Sequence, residues 1–188
     1  MATTGTAPLG TAPASVAISD LAVIGGTITF TGMGDAQLGM SVVELAYVFD
    51  VSMKFHPLRA CPWISSDVVG FEIGADRGGH ATSFVAYLPD GDQVEGSAQV
   101  RGVFSPTTPE GIGLGSSRVD VVAAYGTRVE PRRRVEPEST PSGLDPEDLV
   151  VRSGPGDDDY VISFDIREGA VRSIGVEPFW KTYGEPCL

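Results

Sequence analysis

The chain has 188 residues and 19.7 kDa, with 41% hydrophobic residues and a mean hydropathy of +0.06, enough for one ordinary domain or two small ones with a real core. A net charge of −12 and a pI near 4.4 argue against binding a nucleic-acid backbone, which would repel it, and favour neutral or basic protein partners. No run of 18 apolar residues occurs, so a membrane-spanning helix is excluded on length.

Residues 1–19, MATTGTAPLGTAPASVAIS, are low in complexity and predict a flexible tail. They lack the basic start and apolar stretch of a secretory signal, so if the native protein is exported its signal is missing from this sequence. The next stretch, 16–30, alternates apolar positions around Gly25 and Gly26, and predicts two strands joined by a hairpin.

QLGMSVVELAYVF, 37–49, follows. Ser41 and Glu44 stand at capping-box spacing, and Val42, Leu45, Ala46 and Phe49 form one helical stripe. The phrase is echoed 76 residues later in GLGSSRVDVVAAYG, 113–126, with Ser117 and Asp120 as the capping pair, an apolar face of Val121, Val122 and Tyr125, and Gly126 as the stop. Two short helices are therefore expected.

Each helix is followed by strand material. Residues 81–100 hold Asp90-Gly91 between β-prone runs, and residues 159–177 hold Glu168-Gly169, so both predict antiparallel hairpins. Phe84 and Ala86 in the first, and Ile162, Phe164 and Ile166 in the second, alternate onto the buried face. Between the second helix and its hairpin, residues 127–159 are rich in charge and proline and read as a charged loop.

The expected fold is α+β: two helix-plus-antiparallel-hairpin repeats packing into one sandwich-like domain. Its parts are a flexible tail at 1–19, a first unit at 20–105, and a second unit at 106–188 that contains the charged loop.

Cys61 and Cys187 are the only cysteines, so one disulfide is possible. In an exported protein such a bond would close a long loop and stabilise the fold by roughly 3 to 5 kcal/mol on the chain-entropy estimate. In a cytoplasmic protein the two would be free thiols. A bond would also draw Trp63, beside Cys61, towards Phe179, Trp180 and Tyr183 near Cys187. Those aromatics would then form either a plug beside the bridge or a contact surface for a protein or glycan.

No arrangement of residues demands chemistry. His56 and His80 lack metal-ligand spacing to any cysteine or second histidine, and structural roles are expected for both. GLGSS lacks the nucleophile-elbow order, which leaves Ser117 as a cap. Asp157, Asp158 and Asp159, with Asp145, Glu147 and Asp148 nearby, lack the alternation of a calcium loop and read as solvated charge. Arg132, Arg133 and Arg134 are offset by Glu130, Glu136 and Glu138. No catalytic residue, metal or cofactor is expected, with a hydrolase whose site is dispersed along the sequence as the remaining alternative.

The LGMS phrase with its helix, the GIGLGSS echo with a helix ending in YG, and the closing VRSIGV strand resemble a class of exported actinobacterial proteins. These are similar in turn to the tandem-repeat fold of β-lactamase inhibitory protein and the small lipoproteins of outer-membrane assembly. The resemblance covers residues 35–178 and implies helices packed on an antiparallel sheet whose exposed face or loops bind another protein. The expected function is therefore protein–protein binding without catalysis, in a secreted or cell-envelope protein. The alternative is a structural or accessory subunit of a larger assembly, ordered through the N-terminal tail, with a cytoplasmic location also open.

Overall fold

The computed structural model describes residues 16–17, 22–57, 62–66, 68, 70–88, 93–94, 102–133, 147–153 and 160–178. In chain order the elements begin with five short strands: β1 (Val16–Ala17), β2 (Ala22–Ile24), β3 (Ile28–Thr29), β4 (Gly32–Met33) and β5 (Ala36–Gln37). Helix α1 (Val42–Phe49) leads into β6 (Met53–His56), β7 (Trp63–Ser66), β8 (Phe71–Ala75) and β9 (Ala81–Tyr87). After β10 (Gln93–Val94) and β11 (Gly102–Phe104) comes α2 (Arg118–Tyr125), then β12 (Val129–Arg133), β13 (Glu147–Arg152), β14 (Tyr160–Arg167) and β15 (Ala170–Pro178).

One eight-stranded antiparallel sheet dominates, in the order β12-β13-β14-β15-β9-β8-β7-β6. Strands β3, β4 and β5 form a second, small antiparallel sheet, while β1 pairs with β10 and β2 runs parallel to β11. The expected α+β sandwich of helix-plus-hairpin repeats is thereby overturned. The described residues are mostly β, with two eight-residue α-helices among them, and each of these precedes four strands of one sheet rather than a single hairpin.

The hairpin expected at 81–100 does not form. Strand β9 lies inside the sheet between β8 and β15, so both of its backbone edges are taken, and Gln93–Val94 pairs instead with Val16–Ala17. The partner of β9 across a turn is β8, reached through Asp76–His80. Nor do Gly25 and Gly26 turn a hairpin. Gly26 is small because the Cα of Gly34 lies 3.3 Å from where its Cβ would be. The hairpin at Glu168-Gly169 does form, as β14 and β15.

Two segments inside the expected charged loop at 127–159 are strands, Val129–Arg133 and Glu147–Arg152. Proline at 131 is compatible with strand β12 because this is an edge strand, where a ladder N–H is dispensable.

Both capping boxes are complete. Ser41 Oγ accepts from the Glu44 N–H while Glu44 accepts from the Ser41 N–H at 2.7 Å; Ser117 and Asp120 repeat this, with the return bond at 3.0 Å. The bond from the Ser41 N–H, then that from its hydroxyl, holds the Glu44 carboxyl below its ordinary value of 4.5. For Asp120 the Ser117 hydroxyl contributes most and the backbone N–H next, again lowering it, from 3.8. A lowered folded-state pKa adds stability above the ordinary carboxylate range and loses it as pH falls. Glu44→Gln and Asp120→Asn are therefore expected to melt earlier than wild type at pH 7, with the gap closing below about pH 4. Thermal unfolding followed across pH measures this directly. Ser41→Ala should cost about 1 kcal/mol at neutral pH.

The core lies between the helices and one face of the large sheet. Leu45 and Val121 are fully buried, with Phe84, Phe104, Phe164, Ile73 and Ile174. Val122, expected on the buried face of α2, is 37% exposed. Phe49, Phe71 and Phe104 form a ring cluster that ties α1, β8 and β11 together, with centroids 4.5 to 5.6 Å apart.

The two capped turns dock alike. Gly39 N–H donates to Ala81 O and Ala81 N–H to Met40 O; Gly115 N–H donates to Val171 O and Val171 N–H to Ser116 O. Ala81 and Val171 thus hold equivalent places at the starts of β9 and β15. Counting on from them makes Val85 equivalent to Gly175, and these two residues face each other in the β9–β15 pairing. Phe84 and Ala86 face Val176 and Ile174, so a local two-fold relation passes between Val85 and Gly175.

Candidate functional site

Among the described residues, the opposite face of the large sheet carries no helix. On β6 it carries Lys54 and His56, because Met53 and Phe55 pack on the core. On β7 it carries Trp63 and Ser65, with Ile64 inward, and on β8 Glu72 and Gly74, with Phe71 and Ile73 inward. On β9 it carries Val85 and Tyr87, opposite Phe84 and Ala86.

His56 and Trp63 are cross-strand partners, and their rings stack with centroids 4.4 Å apart and planes 13° from parallel. A 2.8 Å hydrogen bond joins His56 Nε2 to Ser65 Oγ and fixes the imidazole. Tyr87 is 37% exposed, and burial, then the Glu72 charge, pushes its hydroxyl pKa up. The first half of the face thus holds a half-buried, oriented aromatic pair, with Lys54 and Glu72 among the described residues of the same face.

The second half of the same face combines buried Val150 and Val161 with charged side chains that meet each other. Asp148 and Asp165 are buried directly across from one another on β13 and β14. Arg167 Nε lies 3.1 Å from Asp165 Oδ2, Arg152 pairs with Glu130 at 3.2 Å, and Arg132 with Glu177 at 3.9 Å. Arg132 and Glu177 sit on β12 and β15, with two strands between them, a lateral span of about 14 Å in a flat sheet. Contact across that span means the sheet curls towards the helix-free face.

Of the expected contact residues, Trp63 lies on this face; Phe179, Trp180 and Tyr183 fall outside the described residues, as do Cys61 and Cys187. Asp145, Asp157, Asp158, Asp159 and Arg134 also fall outside them, and among the described residues no group of three or more histidine, cysteine, aspartate or glutamate side chains is placed to hold a metal ion. His80 sits in the β8–β9 turn, its Nδ1 3.4 Å from Asp76 Oδ2. Asp76 Oδ1 also accepts from the Gly78 and His80 N–H groups, and the bond from the His80 N–H is foremost in lowering the Asp76 carboxyl. Ser117 is a cap.

Sequence reasoning gave His56 a structural role and missed its stack on Trp63. The signal was present in KFH and WIS, two alternating runs flanking a short segment bounded by Pro57 and Pro62. The charge ladder of the second half was missed because its strands were read as loop.

Compared with protein-family models, curated proteins and solved structures, the chain matches none. No helix among the described residues is long and apolar enough to cross a membrane.

Proposed function

We propose that this chain is a non-catalytic binding protein that acts by contact with another protein, and that Trp63 and His56 anchor the contact on the curled, helix-free sheet face. The observation that carries this reading is the contrast within that face. Its second half buries Val150 and Val161 and pairs Arg132 with Glu177 and Arg152 with Glu130 across strands, while its first half holds a stacked, hydrogen-bonded, half-buried aromatic pair with Tyr87 alongside. Rigid aromatic side chains bury much area for little lost conformational freedom, which makes them common interface anchors. The lowered carboxyls of Glu44, Asp76 and Asp120 are accounted for by caps and a turn, as expected of structural groups rather than acid–base catalysts. The resemblance of the LGMS and LGSS phrases points the same way. The test is affinity capture with wild-type and Trp63→Ala baits, in which the variant should lose a stoichiometric protein partner.

A secreted or cell-envelope location is part of this reading, supported by the reach between the two cysteines. Pro62 and Pro178, the described residues nearest to them, lie at the same end of the sheet. Pro62 O accepts from the Ala75 N–H at the end of β8, and the β15–β9 register brings Pro178 level with the start of β9. Three strand steps, about 14 Å, separate β15 from β7, and the nine residues 179–187 span up to roughly 30 Å when extended. We expect a Cys61–Cys187 bond in protein isolated without reductant. Alkylation under denaturing conditions should label neither thiol before reduction and both after it; labelling of both without reduction would remove the support for export.

A further inference from the structure

One row of cross-strand neighbours crosses the helix-free face from β6 to β15. Its members are His56, Trp63, Gly74 and Ser83, with Glu177 facing Ser83 one step beyond the Phe84–Val176 pair. The middle of the row is low, because Gly74 has no side chain and Ser83 a short one. Ser83 is nevertheless only 5% exposed, and the Nε1 atom of Trp63 is fully buried. A glycine and a serine side by side do not shield each other from water, and His56 stacks on Trp63 from the β6 side, away from Gly74. The burial of Ser83 therefore means that chain lies over this trough.

We propose that residues 179–187 form a strap that leaves β15 at Pro178, follows the trough and covers the Trp63–His56 stack, where it competes with the protein partner. This rests on the binding reading above and regulates the same site. Position selects this segment: Pro178 adjoins Glu177, so the chain leaves β15 at the end of the row itself. Composition selects it too, since Phe179, Trp180 and Tyr183 supply the apolar surface that would cover an indole. Length permits it. Nine residues extend to roughly 30 Å, against about 14 Å from β15 to β7, so the strap has slack to lie on the face and still bring Cys187 to Cys61.

Trp63 and Trp180 are the only tryptophans, so the fluorescence of each can be read alone. In a Trp180→Phe chain, acrylamide should quench Trp63 weakly. Ending that chain after Pro178 should raise the quenching constant at least threefold, with hydrogen exchange in β9 and β14 as slow as in the full chain. In the full-length Trp63→Phe chain, Trp180 should be shielded from acrylamide. Equal quenching of Trp63 with and without the segment would overturn the proposal. So would a Trp180 quenched as readily as free indole, a result that counts even where the shortened chain fails to fold. Competition is read by affinity capture, in which the shortened bait should retain more partner than wild type; no gain would overturn it. The binding reading is separable. Shielded tryptophans with no protein captured by either bait would sink that reading alone, whereas capture lost in Trp63→Ala with Trp63 quenching indifferent to the segment would sink the strap alone.

Discussion

Gly175→Val is expected to destabilise the protein by more than about 3 kcal/mol, at or beyond the upper end of overpacking penalties. A Cβ at this position would lie 3.0 Å from the Phe84 carbonyl oxygen and 3.1 Å from Val85 Cγ2, with Ser163 Oγ at 3.4 Å. The backbone of β9 cannot retreat, because it is hydrogen-bonded to β8 on its other side. The local two-fold relation explains the pairing of a valine with a glycine: Val85 and Gly175 are equivalent positions that face each other, and two valines would collide. The double variant Val85→Gly with Gly175→Val removes the side-chain half of the clash, so its denaturant midpoint should lie between those of Gly175→Val and wild type. An exchange as damaging as the single change would count against the equivalence of the two positions.

The second large effect is Phe104→Ala, expected to cost about 3 to 5 kcal/mol. Phe104 is 1% exposed and makes ring contacts with both Phe49 and Phe71. It therefore joins the end of α1 to the sheet through a strand, β11, whose backbone pairing is only three residues long. Truncation leaves a cavity bounded by the other two rings, which are held on a helix and on an inner strand and cannot close in from both sides. Urea denaturation should show a lower midpoint with an unchanged slope; a loss under 1 kcal/mol would mean that the cluster does not carry the junction.

Local signals were legible where a side chain acts on its own neighbourhood. Ser41 with Glu44 and Ser117 with Asp120 announce helix starts, and the caps form as their spacing dictates. Glu168-Gly169 announces a turn, and both residues take positive φ there, 54° and 80°. Signals failed where the outcome depends on distant partners. Whether 81–87 turns back on 93–94 is settled by β15, some 90 residues away, taking the free edge of β9. Pro131 and the arginines that follow it look like loop until the edge position of β12 and a counter-charge at Glu177 are known. The candidate site was half visible: Trp63 stood out as an aromatic, but its partner His56 depends on the β6–β7 register, which composition does not encode.

The most direct measurement is parallel affinity capture from envelope and secreted fractions of the native organism, with wild-type and Trp63→Ala baits shown to have matching thermal stability. Recovery of one stoichiometric protein by wild type and at least tenfold less by the variant is the predicted result. Equal recovery by both baits, or no protein retained by wild type at high bait concentration, would contradict a binding face centred on Trp63 and His56.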